Sequence, residues 1–231
     1  MKKKFGILTL FVGLLMFVAG CSSDDPDFHT LRLDAQSVDK YPVTYYADQK
    51  SDSLEIHTTD SWEVNTNCNW MVFKETASAI ASGEVKYIYG TEYLVTRCMW
   101  FGANTTGSDR ETFITAKANK QQVSLVVRQY YHLNITIPQK ASTGLNNEYD
   151  FSQSLAANAT SSKLAFTLYA DATLKTETPW ISVSDETFKA GDNSTEITLQ
   201  VNNTGEKRTG KVTLKSETGA STDIYITQKA S

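Results

Sequence analysis

The sequence lacks the residues and patterns on which most enzymes and metal proteins depend. It has only three histidines, which are scattered along the chain, and no cysteine stands near them at a spacing typical of zinc sites. It contains no Gly-x-Ser-x-Gly elbow, no His-Glu-x-x-His motif and no phosphate-binding glycine loop. We therefore expect no catalytic residues, no metal and no cofactor, and we predict that the protein is not an enzyme.

Clusters of basic residues are also missing. The chain has 22 Lys and Arg against 26 Asp and Glu, a formal net charge of −4, and removal of the first twenty residues takes away three lysines to leave −7. Charges of both signs are interspersed. This distribution argues against a nucleic-acid or anionic-membrane surface.

Long apolar runs are limited to the N-terminus. The run from Phe5 to Ala19 is shorter than the ~20 residues that a membrane-spanning helix requires, and it follows three lysines. We therefore expect residues 1–20 to be a secretion signal. The signal ends in Val-Ala-Gly-Cys, which resembles the bacterial lipobox, so acylation is expected at Cys21; the alternative is an ordinary signal with an incidental cysteine.

Residues 21–29 are predicted to be a flexible tether, because they are polar and acidic. The run Ser-Ser-Asp-Asp-Pro-Asp after Cys21 resembles the export signal of surface lipoproteins in one bacterial phylum. This resemblance implies an outer-membrane lipoprotein exposed on the cell surface. The periplasmic face of that membrane is the alternative.

The rest of the chain contains a repeat of about a hundred residues. When Trp70 is aligned with Trp180, the segments before them match without a gap, and copy one has twelve extra residues after its tryptophan. The matching turn residues and closing glutamines are Asn104 and Asn202, Arg110 and Arg208, and Gln129 and Gln228. A repeat of this length indicates two sibling domains rather than a solenoid, at residues 30–131 and 132–231.

Apolar and polar residues alternate through both copies, which predicts half-buried β-strands. One predicted strand covers residues 84–89 in copy one. Evidence for helix is thin, and only residues 76–82 are expected to form a brief helical turn. The fold class predicted is all-β.

The second copy resembles the BACON domain, the Bacteroidetes-associated carbohydrate-binding, often N-terminal domain. Its motif residues are Trp180, Asn202, Arg208, Gly210 and Gln228. Copy one departs from the pattern, because a threonine replaces the motif glycine. The resemblance implies two tandem immunoglobulin-like β-sandwiches and carbohydrate as the ligand class.

Aromatic residues of copy one are the candidate ligand-binding residues. Tyr87, Tyr89 and Tyr93 are attributed to the extra segment, so the shared core does not need them; Trp100 and Trp62 are weaker candidates. Tyr87 and Tyr89 would share one face of the predicted strand and offer rings to apolar sugar faces. The alternative is an extended hairpin whose aromatic residues cover its own edge.

The remaining candidates are structural. Trp70 and Trp180 recur at the same place in both copies and are predicted to be core residues of the sandwiches. Cys68 and Cys98 form either a disulfide or two free thiols, and the sequence leaves both possibilities open.

Three non-catalytic roles agree with these features. The first is glycan binding at the cell surface within a polysaccharide-uptake system. The second is a structural spacer that accompanies other surface lipoproteins. The third is an adhesin or pilus-type subunit, which would present an unpaired strand edge.

Overall fold

A computed structural model describes residues 28–35, 42–136 and 151–231. The signal segment, Cys21 and most of the predicted tether lie outside these ranges. The described chain contains strands, turns and loops, with no helix that is long and apolar enough to cross a bilayer. The strands form two modules, which we call module one (residues 31–129) and module two (residues 134–228).

Module one packs a four-stranded sheet against a five-stranded sheet. The sheet orders are β1-β3-β7-β5 and β2-β9-β8-β4-β6, and every neighbouring pair is antiparallel except β2 with β9. Its strands are β1 (Leu31–Ala35), β2 (Val43–Tyr45), β3 (Ser51–Thr58), β4 (Trp62–Thr66), β5 (Met71–Phe73), β6 (Ile80–Gly83), β7 (Tyr93–Phe101), β8 (Arg110–Ala118) and β9 (Gln121–Gln129).

Module two repeats this topology strand for strand. Its sheet orders are β10-β12-β16-β14 and β11-β18-β17-β13-β15, with β11 and β18 as the parallel pair. Its strands are β10 (Asn134–Thr136), β11 (Phe151–Leu155), β12 (Ser161–Leu168), β13 (Ala172–Thr176), β14 (Ile181–Val183), β15 (Thr187–Phe188), β16 (Gly191–Leu199), β17 (Arg208–Ser216) and β18 (Ser221–Gln228).

Each module has its own apolar core between its two sheets. Leu54, Ile56 and Met99 are fully buried in module one, and Leu164 and Ile197 are fully buried at corresponding positions of module two. The prediction of an all-β chain with two tandem immunoglobulin-like β-sandwiches is confirmed. Each core closes because the strands alternate apolar and polar residues, with the apolar face turned inward.

Two local predictions for module one are wrong. Residues 76–82 form a turn followed by the start of β6, and residues 84–92 form an irregular loop instead of the predicted strand at 84–89. The strand register also shows that the twelve extra residues of copy one are not a single insertion, because they lie in two loops, one before β6 and one after it. Phe73 and Gly83 are ten residues apart where Val183 and Phe188 are five apart, so five extra residues precede β6 and the other seven follow it.

The modules meet end to end through hydrogen bonds and one ion pair. The backbone N–H of Ala47 donates to the carbonyl of His132 at 3.0 Å, and the backbone N–H of Tyr169 donates to Oδ2 of Asp48 at 2.9 Å. Lys50 pairs with Glu217 across the junction at 3.0 Å. The end of module one that carries β7's last residues therefore faces module two.

Candidate functional site

Trp70 and Trp180 are half-buried, so they are not the enclosed core residues that the repeat predicts. Each lies in the turn just before a short strand, packs one side against its core, and carries a guanidinium on its ring. Arg110 is 4.5 Å from the Trp70 ring centroid and Arg208 is 4.3 Å from that of Trp180. This arrangement holds the end of each sandwich together and leaves little of either ring for a ligand.

A buried glutamine completes this arrangement. Gln228 is fully buried; its Oε1 accepts from Nε of Arg208 at 2.8 Å, and its Nε2 donates to the carbonyl of Ala159 at 2.9 Å. Gln129 and Arg110 repeat the contact at 2.9 Å in module one. The Trp, Arg and Gln positions that the two copies share therefore form one structural latch in each module.

The asparagine of each repeated turn is also structural. Nδ2 of Asn202 donates to the carbonyls of Glu206 and Lys229, while Oδ1 accepts from the Thr204 backbone at 3.2 Å. Asn104 makes similar bonds in module one, where Nδ2 donates to the carbonyls of Ser108 and Gln129 and Oδ1 accepts from the Thr106 backbone. These buried side-chain amides stabilise the loop in which the chain passes from one sheet to the other, between β7 and β8 in module one and between β16 and β17 in module two.

Trp62 is a core residue, and its prediction as a ligand-binding candidate is wrong. It is only 3% exposed, and Arg97 lies 4.8 Å from its ring centroid. Its strand partner is Gly83, where an added Cβ would stand 2.7 Å from the indole ring. In module two the large and small residues exchange places, because Ala172 corresponds to Trp62 and its strand partner Phe188 corresponds to Gly83. The pair therefore fills the same part of each core from opposite strands.

The three candidate tyrosines do not form a shared platform. Tyr87 turns back to contact the His29 ring, with centroids 5.0 Å apart, and Tyr93 donates from its hydroxyl to the Lys86 carbonyl at 2.9 Å. Tyr89 is 70% exposed at the loop tip. Tyr93 also belongs to β7, opposite Thr58, and corresponds to Gly191 of module two rather than to an inserted residue.

Cys68 and Cys98 are both free thiols. Cys68 packs against the core of module one, whereas Cys98 lies on the same outward face of β7 as Trp100. Successive residues of a strand point to opposite faces of its sheet, which directs the Cys98 thiol away from the core. The disulfide alternative is therefore wrong.

Trp100 is the one tryptophan among the described residues that presents much of its ring to solvent. It is 46% exposed on the outer face of β7, and Nζ of Lys74 is 5.4 Å from its ring centroid. It borders a groove of about 470 Å³ between the modules, which Asp48 and Lys50 line from module one and Thr218 lines from module two. The ring therefore stands beside polar groups from both modules.

Module two shows that the fold does not require Trp100. Trp100 lies between Ser51 on β3 and Val72 on β5, and Thr198 occupies the corresponding position of module two. The same sandwich therefore forms with a small polar residue at this position. An exposed tryptophan that packing does not require is a candidate binding residue.

Asp48 is the unusual polar group of the groove. It is fully buried; its Oδ2 accepts from the Tyr169 N–H, and its Oδ1 has no hydrogen-bond partner among the described residues. Burial raises the pKa of the Asp48 carboxyl above its usual value, although the hydrogen bond from Tyr169 and the charge of Lys50 act in the opposite direction. A buried acceptor without a donor costs about 1–3 kcal/mol.

The described part of the chain contains no group of three or more His, Cys, Asp or Glu side chains placed to hold a metal ion. His57 shows the nearest crowding of charge, with Asp34 at 3.5 Å and Glu92 at 3.7 Å, but Arg32 lies against the same ring at 3.2 Å. This cluster is a network of charges on β1, β3 and the loop before β7.

Comparison with known families gives a match within the second module. Residues 170–229 match the BACON family, described as "Putative binding domain, N-terminal". The match includes Trp180, Arg208 and Gln228, so the latch of module two lies within the residues that match the BACON family. The same latch is repeated in module one.

Among solved structures, three illustrate what the chain is similar to. A Bacteroides ovatus GH5 xyloglucanase in complex with a XXXG heptasaccharide has 21% identity over 37% of this chain and 18% of that one, with a TM-score of 0.33. Domains 5-6 of the S-layer protein SbsC have 14% identity over 85% and 98%, with a TM-score of 0.27. Titin domains I67-I69 have 10% identity over 87% and 65%, with a TM-score of 0.28. No curated protein matches the chain.

No sequence motif marks three of the groove residues. Asp48, Lys50 and Thr218 are ordinary turn residues in the sequence, and only the junction between the modules brings them together. Trp100 could have been recognised from the sequence, because it lies four residues before Asn104 and a threonine, Thr198, lies four residues before Asn202 in the second copy. A tryptophan replaced by threonine in the sibling module marks a residue kept for something other than packing.

Proposed function

We propose that the protein is a non-catalytic exported lipoprotein that binds glycan at the bacterial cell surface as part of a polysaccharide-uptake system. The observation that carries this proposal is Trp100, an exposed ring beside the groove at the module junction that the shared fold does not require. The match to the BACON family within module two supports the same ligand class.

The groove suits a sugar better than an apolar peptide. A sugar ring has an apolar face that packs on an indole and a rim of hydroxyls that need hydrogen-bond partners. Trp100 supplies the ring surface, while Lys50 supplies a donor and the hydroxyl groups of Ser51 and Thr218 can donate or accept. One aromatic surface with a few polar groups is a usual composition of a small-ligand site.

The N-terminal sequence supports the proposed location. A signal segment that ends at Cys21 and an acidic run after it are what a surface lipoprotein requires. In cells fed a labelled fatty acid, the wild-type chain should incorporate label and a Cys21→Ser chain should not. Equal labelling of both chains would contradict acylation at Cys21.

A glycan array tests the proposed function. The full mature chain with Cys21→Ser should give a binding signal on at least one polysaccharide. Adding Trp100→Thr to this chain should abolish the signal. Adding Tyr89→Ala should leave the signal unchanged, because Tyr89 lies in the loop before β7, at the other end of that strand from Trp100. Incubation with the bound polysaccharide should release no shorter products. Equal signals from wild type and Trp100→Thr would refute the site, and released products would refute the non-catalytic role.

A structural spacer is the second candidate, and the junction favours it. The Asp48–Tyr169 and Lys50–Glu217 contacts join the modules directly, as a stiff spacer requires. The described edge strands are short, from two residues in β15 to five in β1 and β11, which gives a donated strand little to pair with. An array without any signal would favour the spacer.

A further inference from the structure

We infer that the glycan site continues across the module junction and accepts an extended, neutral, β-1,4-linked oligosaccharide rather than a single terminal sugar. This inference rests on the proposed function, because it takes Trp100 as one end of the site. It adds a second hollow in module two and a chemical class of ligand.

The second hollow lies at the end of module two that faces module one. It has a volume of about 700 Å³, an apolar floor that includes Phe188, and a polar rim that includes Thr173, Lys189 and Lys215. The corresponding hollow of module one measures about 360 Å³, and Trp62 lines it. The two hollows also differ in which strand carries the large side chain: Trp62 stands opposite Gly83 in module one, and Phe188 stands opposite Ala172 in module two.

The two hollows meet at one turn. Glu217 and Gly219 line the hollow of module two, and Thr218 between them lines the groove beside Trp100. Lys50 lines that groove and its Nζ is 3.0 Å from Oε1 of Glu217. A ligand that leaves the Trp100 ring over this ion pair therefore enters the hollow of module two.

The surface along this path favours a neutral ligand. Lys50 is paired with Glu217, and Lys189 is paired with Asp171 at 2.6 Å, so the charges beside the path largely cancel. Paired side chains still offer hydroxyl groups both donors and acceptors. A strongly anionic glycan would gain little here, and an apolar peptide would leave these groups desolvated and unpaired.

The single ring favours a flat sugar. A β-1,4-linked glucan exposes broad apolar ring faces because its hydroxyls and linkages are equatorial, whereas axial groups would hold a sugar away from the indole. The chain of such a glucan is extended, and a ligand that contacts both Trp100 and Lys215 has to extend over the junction turn. The chemical class that fits the path is therefore a linear, neutral, equatorially linked oligosaccharide.

Titration calorimetry with cello-oligosaccharides, graded from the disaccharide to the hexasaccharide, tests the inference on the full mature chain with Cys21→Ser. Affinity should rise at least about tenfold with length, because contacts in the second hollow add to those at Trp100. A Thr173→Ala/Lys215→Ala variant should lose most of this gain. The matched control is Glu63→Ala/Lys117→Ala, which alters the corresponding hollow of module one and should behave as wild type.

The outcomes separate the inference from the proposed function. Affinity that does not depend on length, or equal behaviour of the two double variants, would overturn the extended site. If Trp100→Thr leaves the affinity for every oligosaccharide unchanged, the proposed function itself fails. Binding to acidic glycans on an array with no binding to cello-oligosaccharides would overturn the neutral, β-1,4-linked class.

Discussion

At the scale of single residues, the four tryptophans of this chain have different structural roles. Trp180 is sandwiched between its core and Arg208, and Trp62 fills the space that Gly83 leaves open. Trp100 alone lies on the outer face of a sheet. These roles are distinguished by how deeply each tryptophan is buried and by which residue occupies its position in the other module. Residue type alone does not distinguish them.

Replacement of Trp180 by alanine should lower the free energy of unfolding of module two by about 3 kcal/mol, the lower end of the range for a buried tryptophan, because one side of its ring faces Arg208. Chemical denaturation followed by circular dichroism measures this change. Trp100→Thr is the matched control and should change stability by less than about 0.5 kcal/mol. Equal losses in both variants would contradict the structural role of Trp180.

Replacement of Gly83 by alanine should destabilise module one by about 1–3 kcal/mol, because the new methyl group would stand 2.7 Å from the Trp62 ring and force it to move. Gly102→Ala is the control, since an added Cβ there would have no neighbour nearer than 3.7 Å. Thermal unfolding of both variants makes the comparison. Equal unfolding temperatures of the Gly83→Ala and Gly102→Ala variants would contradict close packing of Gly83 against the Trp62 ring.

At the scale of strands and loops, the pattern of the sequence was informative wherever a strand has one buried face. The runs at Tyr93–Phe101 and Gly191–Leu199 form long strands because alternate residues enter the core. Residues 84–89 also alternate but form a loop, because β4 already pairs with β6 at residues 80–83 and no further strand is beside them. Alternation predicts a strand only where a partner strand is present.

The two faces of β7 also determine the state of the cysteines. Cys98 faces outward and Cys68 packs on the core, so we expect both thiols to stay reduced in the folded protein. The unfolding temperature of the Cys21→Ser chain should be the same with and without a reducing agent, and thiol titration of the denatured chain should give two free thiols per molecule. A titration near zero would show that the two cysteines are bonded.

At the scale of the whole molecule, the candidate site arises from the junction and not from either module alone. The sequence predicted the two sandwiches because each module repeats the same strands and latch. It did not predict Asp48, Lys50 and Thr218 as neighbours, because their contact depends on how module two docks on module one. Contacts between domains leave no periodic pattern in a sequence, whereas strands do.

The junction should be sensitive to pH through Asp48. Burial raises the pKa of this carboxyl in the folded chain, so its contribution to stability is present below the unfolded pKa and is lost as pH rises through the folded pKa. Asp48→Asn should therefore raise the unfolding temperature at neutral pH and have little effect near about pH 3, where both side chains are neutral. Asp34→Asn, which alters an exposed carboxyl, is the control. A lower unfolding temperature of Asp48→Asn at neutral pH would contradict this account.

The central claim is that an exposed ring at the junction binds glycan while the shared latches only hold the modules together. The most direct measurement is titration calorimetry of the polysaccharide that gives the strongest array signal against wild type, Trp100→Thr and Thr198→Trp. The account predicts at least about tenfold weaker binding for Trp100→Thr, as for a central aromatic contact, and wild-type affinity for Thr198→Trp. Unchanged affinity in Trp100→Thr would contradict the account.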